Sequence, residues 1–227
     1  VGFFGGAKVN EPIESPKREA VCDEEVAATV NGAAISTESI LSRAALLDFV
    51  AALLSEPRDG FAFESAQRAA AHVGGELVAL TKNVRAAFEA APLDAVKGEW
   101  ARLFATQMAC PPYESEGAQD AALKATILSD VSGFYAAWGM RPSGEMADHI
   151  VAELSFASHL LLKLAYAQSQ AMTEQADIAA NALAQFASDH LAPFAQRFFP
   201  SLYHATRSDC YKQTALLGER AVKLVME

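Results

Sequence analysis

Apolar residues recur along this chain at steps of three and four, the spacing that gathers side chains on one face of an α-helix. The clearest run is Ile150, Leu154, Ala157, Leu161 and Leu164. It predicts a long apolar helix from about Glu145 to Gln170, entered across Pro142 and Gly144. Glu145, His149 and Glu153 recur within it at steps of four and predict a second, polar stripe. Asp148 falls at the edge of that stripe, turned about 100° from His149 as any helical neighbour is. Carboxylates and an imidazole in the first turns of an otherwise apolar helix make this stretch the first place to look for function.

The same pattern predicts helices on either side. Ile40, Ala44, Leu47, Val50 and Leu54 form the buried stripe of a helix that Ser36 or Thr37 can cap and that Pro57 and Gly60 stop. A helical region from Glu64 to Ala91 is weakened at Gly74-Gly75 by about 1 kcal/mol per glycine relative to alanine, which predicts two helices with a bend. After Pro92, Asp94 opens a shorter helix carrying Val96, Trp100, Leu103 and Phe104. Pro111 and Pro112 force an extended backbone into the Ala109 to Gly117 loop, the most distinctive of the chain. Asp120 opens the next helix, with Leu123, Ile127, Val131, Phe134 and Trp138 as its stripe. Thr173 caps a later helix that Pro193 interrupts. Phe194, Phe198 and Phe199 then read as a short aromatic segment closed by Pro200, before a last helix over about Leu202 to Val225. No alternating run flanked by turns argues for a sheet. The expected fold is all-α, with residues 33–227 as a single helical domain and residues 1–32 as an irregular arm or short lead-in helix.

Composition narrows the function classes. A chain of 227 residues with 52% apolar content supports one sizeable core or two small ones. Its formal net charge of -10 gives no bulk attraction for nucleic acid or anionic lipid. Such charge suits a basic partner, or simply solubility. Cys22, Cys110 and Cys210 are far apart and odd in number, which argues against a disulfide framework or a structural zinc site and for a reducing compartment. No uninterrupted apolar run approaches the about 20 residues that span a bilayer. The opening Val1-Gly-Phe-Phe-Gly-Gly does not read as a secretion signal.

Catalytic chemistry has few candidates. The Glu145, His149, Glu153 stripe has a spacing that could ligate a metal, with groups within about 6 Å of one another. Yet no second helix supplies a Glu-x-x-His partner, and acids in a first helical turn are ordinary without any ligand. Asp148 with His149, and Asp189 with His190, are sequence neighbours that point apart on a helix and make poor hydrolytic pairs. There is no glycine-rich phosphate loop, and Cys110 has no neighbouring base or cation to activate it. A groove is another use of these residues. Trp100, Leu103, Phe104, Pro112 and Tyr113 would form one wall, and Trp138, Asp148 and His149 the other. Such walls would hold an apolar peptide stretch, and the carboxylates its basic end. The plainer role for each aromatic is the core.

Three motifs in order along the chain are Trp100-Ala-Arg-Leu103-Phe104, then Pro111-Pro112-Tyr113-Glu114-Ser115, then Glu145-Met146-Ala147-Asp148-His149-Ile150 followed by Glu153-Leu154-Ser155-Phe156. They are similar to the Tyr-x-x-Leu-Phe, Pro-x-Glu-Ser and Glu-Pro-x-Asp-His elements, with the following Glu-Leu-x-Phe, of the TorD/DmsD/NarJ family. Members are dedicated cytoplasmic chaperones of molybdenum enzymes. The resemblance runs from about Glu38 to Glu219 and departs from the pattern at Met146, where the family has proline. It implies an all-helical protein, not an enzyme, with no cofactor of its own. It implies binding to the N-terminal leader, often a twin-arginine export signal, and to the apo form of a molybdenum oxidoreductase subunit. That subunit is held for molybdopterin cofactor insertion, and its export is delayed. Neither nucleic acid nor stable membrane insertion is implied, and a monomer or a domain-swapped dimer both fit. By the same analogy the peptide-binding region comprises Trp100, Leu103, Phe104, Pro112, Tyr113, Glu114, Ser115, Trp138, Glu145, Asp148 and His149, with Asp148 pairing a leader arginine. The competing readings are a helical metalloprotein built on the Glu145, His149, Glu153 stripe and a generic helical adaptor.

Overall fold

The computed structural model describes residues 29–30, 33–58, 60–141 and 146–227. At its centre α1 (Thr37–Leu54) lies along α6 (Ile150–Ser169). Ile40, Leu47, Val50 and Leu54 of the first and Ile150, Leu154, Ala157 and Leu161 of the second are buried, as the periodicity predicts. By length and composition α6 could cross a membrane, but 61% of that stretch is buried inside the domain, the behaviour of a core helix. Next, α7 (Thr173–Phe186) packs on α6. At the far side α9 (Asp209–Met226) packs on α1, on α3 (Leu77–Ala90) and on α8 (Ala192–Ala205). A Cβ at Gly218 would run into the Phe199 ring, so the α8–α9 crossing depends on glycine there. Between α1 and α3 lies α2 (Phe63–Val73), separated from α3 at Gly74-Gly75, both with positive φ. After α4 (Leu93–Trp100) the Ala109 to Gly117 loop leads to α5 (Ala121–Ala137), which packs over the end of that loop.

The class is all-α, as expected. Among the described residues, extended pairing is limited to Thr29–Val30 against Ala33–Ala34 and to a single bridge between Tyr113 and His149. The arm or lead-in helix expected over residues 1–32 lies outside the described residues except at Thr29–Val30, and so do residues 142–145 before the central helix.

Capping residues settle several helix starts. Ser36 and Asp120 cap α1 and α5 as read from the sequence, accepting from Ser39 N and Leu123 N. The central helix, however, opens at Ile150 and not near Glu145. His149 is extended (φ -76°, ψ 134°) and acts as the cap itself, its Nδ1 accepting from Val151 N at 3.2 Å. Thr173 is the first residue of α7 and not its cap, since Met172 precedes it without a side-chain bond. Likewise α4 begins at Leu93 after Pro92, one residue before Asp94.

Pro193 does not interrupt the chain either. Residues Ala187–Leu191 form a π turn, closed by a bond from Ala192 N to Ala187 O, and the helix continues as α8. Pro193 has no N–H for the Asp189 carbonyl, and the wider turn absorbs that mismatch. Pro200 is likewise carried inside α8, which runs on to Ala205. The last helix therefore starts at Asp209, capped by Ser208, and not at Leu202.

Candidate functional site

The proline loop and the segment before α6 meet face to face. Ile150 N donates to Pro112 O and Glu114 N to Asp148 O, each at 2.9 Å. The Tyr113 and His149 rings pack edge to face with centroids 5.2 Å apart, and both side chains are half-buried. Asp148 Oδ2 accepts from Ser115 N at 3.0 Å and so caps the 3₁₀ turn Glu114–Gly117. The Asp148 side chain is 0% exposed. In this closed arrangement it therefore organises the loop and does not meet solvent, which corrects the expectation of a carboxylate presented directly to a leader arginine.

Beneath the junction lies a cluster of charged groups, with Glu114, Asp148, Glu153 and His190 buried and Asp130 and Arg197 at its exposed edge. Glu114 is 6% exposed, and its carboxylate oxygens stand 3.1 and 3.4 Å from Nδ1 of His190, itself 4% exposed. His190 Nε2 lies 3.3 Å from Asp130 Oδ2 on α5, a charge contact without an aligned hydrogen bond. Burial opposes charge on His190, but the hydrogen bond and charge of Glu114 and the close carboxylate of Asp130 outweigh it, and the net effect raises its pKa. Arg197 of α8 donates from Nη2 to Glu114 O at 3.2 Å. Its guanidinium lies across Gly117, where a Cβ would collide with it.

Glu153 sits one turn into α6 and is 0% exposed, and neither of its oxygens has a hydrogen-bond partner. Burial first, then the charges of Glu114 and Asp148, push its carboxyl well above the usual range, with Arg197 opposing them. Tyr135 O–H donates to Ala147 O at 2.9 Å, and burial followed by the charges of Glu153, Asp148 and Glu114 pushes its phenol up.

The Trp100 to Phe104 motif belongs to a different region. Residues Ala101–Ala105 form another π turn, with Thr106 N bonded to Ala101 O at 2.7 Å. Leu103 and Phe104 are buried, Phe104 lying against Phe198 and Tyr211. Trp100 Nε1 donates to Leu54 O at 2.8 Å. Arg102 makes paired 2.8 Å bonds to Glu99 and one of 2.7 Å to Ala205 O. Glu99 Oε1 also accepts from Thr206 Oγ1 at 2.9 Å and Arg207 N at 2.6 Å. The hydrogen bonds from Arg102 lead, burial opposes, and the bonds from Arg207 and Thr206 and the Arg102 charge add, bringing the Glu99 carboxyl down to about 2.

The structure thus brings together Pro112, Tyr113, Glu114, Ser115, Asp148 and His149. It places Leu103 and Phe104 in the core, with Trp100 half-buried against them. Trp138 is half-buried at the end of α5, its N donating to Tyr135 O at 3.1 Å. Glu145 lies outside the described residues. The helical stripe on which the competing metalloprotein reading rests does not form at His149 and Glu153, because His149 precedes the helix while Glu153 is enclosed within it. Among the described residues no group of three or more His, Cys, Asp or Glu side chains could hold a metal ion. Burial pushes the Cys110 thiol up to about 12, the opposite of activation.

Sequence reasoning missed Asp130, Arg197, Glu99 and Arg102, and it weighed His190 only against Asp189, not against Glu114. Only Pro193, which forces the turn that carries His190, left a trace in the sequence. Open clefts occur elsewhere. One of about 210 Å³ is lined by Phe61, Phe63, Phe88 and Val96, another of about 350 Å³ lies between α8 and α9, and neither includes a junction residue.

A sequence model of the family described as nitrate reductase delta subunit matches residues 66–200, well over half of the 227-residue chain. The match takes in both halves of the junction together with His190 and Arg197. No curated protein matches the chain.

Proposed function

The chain belongs to the nitrate reductase delta subunit family, a family of molybdoenzyme maturation chaperones, and on that premise we propose that it binds the N-terminal leader of a molybdopterin oxidoreductase subunit in the cytoplasm. Through the leader, often a twin-arginine signal, it holds the apo subunit for cofactor insertion and delays export. It performs no catalysis itself. The client is recognised at the junction, where the half-buried Tyr113 and His149 rings, with exposed Met146 on the same segment, offer an aromatic and apolar platform.

The observation that carries this reading is the junction itself. Two segments far apart in sequence, both inside the matched span, are held in register by backbone bonds and by the Asp148 cap. Asp148 and Glu114 act from within, fixing the platform, and a net charge of -10 favours encounter with a basic leader.

The test is co-purification from cells expressing a candidate client subunit with and without its leader. Retention that disappears with the leader, and that a scrambled leader of equal charge does not restore, supports the reading over a generic adaptor. Equal retention of both forms contradicts it.

A further inference from the structure

Glu153 is the residue the chaperone reading leaves unused. It is a carboxyl group 0% exposed, with no hydrogen-bond partner, set beneath the meeting point of two loop segments. Its neighbours are largely committed, Asp148 Oδ1 alone among the Glu114 and Asp148 carboxylate oxygens having no partner. Asp148 gives Oδ2 to Ser115 N, Glu114 gives its carboxylate to His190, and Arg197 gives Nη2 to the Glu114 carbonyl. We propose that the carboxyl of Glu153 is the proton switch of this junction, neutral while the Pro112–Ser115 and Asp148–Ile150 segments are paired, and releasing that pairing when its proton leaves.

The argument rests on the cluster. Three carboxyl groups converge here, and two cationic groups face them. Glu114 comes from the 3₁₀ turn, Asp148 from the segment before α6, His190 from the π turn and Arg197 from α8. From α5, Tyr135 faces the same cluster, and Asp130 reaches it only through His190. On α1 the guanidinium of Arg43 is turned to the Leu224 carbonyl and Asp48 to Ser158. On α7 Glu174 and Asp177 are exposed. Nothing described donates a hydrogen bond to Glu153, so its ionised form would be a third enclosed negative charge with no direct partner. The least costly relief is to separate the two segments, which are joined by few bonds and would then admit water to Asp148 and Glu153. The raised pKa of Glu153 points the same way. Such an acid favours the closed state below its ordinary range, and the advantage is lost as pH rises through the raised value.

This inference stands apart from the leader reading, because its readout is the junction's own amides. Amide hydrogen exchange at Glu114, Ser115 and Ile150 is followed in the wild type from about pH 6 to about pH 9 and corrected for intrinsic rates, with amides of α1 as controls. Protection at the junction is expected to fall by about tenfold or more while α1 is unaffected, and E153Q is expected to abolish that dependence. His190 titrates in the same direction, so H190Q is run beside it. A dependence that survives in E153Q, or that vanishes only in H190Q, overturns the proposal. A second measurement needs no variant. The carbon resonances of Glu side-chain carboxyls should include one that titrates well above the usual range together with junction opening. Complete ionisation of every Glu carboxyl by about pH 6 overturns it.

Discussion

Glu99 and Glu153 are both withdrawn from water, and the fold treats them in opposite ways. Glu99 receives two bonds from Arg102, one from Thr206 and one from the Arg207 amide, and its carboxyl is brought to about 2. Glu153 receives none, lies near Glu114 and Asp148, and is pushed the other way. Burial alone therefore does not decide the state of an enclosed acid. The number of donors aimed at it does. The fully paired acid ties α4 to the turn between α8 and α9, where the chain needs only to be fixed. The unpaired one lies beneath the junction on which the proposed function depends.

Removing the donor-rich acid gives the largest expected effect. Glu99→Ala leaves Arg102, Thr206 and the Arg207 amide without their acceptor and should lower unfolding stability by about 3 kcal/mol, read as a reduced urea midpoint with unchanged slope. At the junction, Asp148→Ala removes the cap of the 3₁₀ turn and should cost about 1 kcal/mol, with the loss of protection concentrated at the Ser115 amide. Asp148→Asn keeps an oxygen for Ser115 and should cost less.

The pH dependences of the two regions should run in opposite directions. Glu99 has a lowered folded pKa, so its stabilisation is present above the ordinary carboxyl range and is lost as pH falls towards about 2. Glu153 and His190 have raised folded values, so their stabilisation is present at lower pH and is lost as pH rises through those values. Urea midpoints measured across pH should show an acid limb flattened by Glu99→Gln and an alkaline limb flattened by Glu153→Gln. The smallest effect is expected from Gly117→Ala. The added methyl must displace the mobile end of Arg197 from the Glu114 carbonyl, at about 0.5 kcal/mol in the same titration.

Much of the fold was legible in the sequence because helical periodicity is a local signal. The buried stripes of α1 and α6, the Gly74-Gly75 break and the Ser36 and Asp120 caps all follow from residues within one or two turns of each other. The errors came where a distant partner overrules local pattern. Glu145, His149 and Glu153 look like a helical stripe only until the proline loop pairs with His149 and holds it extended. His190 read only as a poor hydrolytic partner of Asp189, because Glu114 and Asp130 reach it from other elements. Pro193 and Pro200 looked like helix ends, whereas α8 takes up one through a π turn and carries the other within itself. The site was therefore legible as two motifs, but not as the buried network that joins them.

The central claim, that the Tyr113–His149 junction receives the leader, is tested most directly by calorimetric titration of a client leader peptide into the wild type, Tyr113→Ala and His149→Ala. Affinity is expected to fall by about tenfold or more in each variant, equivalent to about 1.4 kcal/mol, with unfolding midpoints close to wild type for Tyr113→Ala. Unchanged affinity in both variants, for a peptide that the wild type binds, would place the leader elsewhere on the molecule and contradict the account.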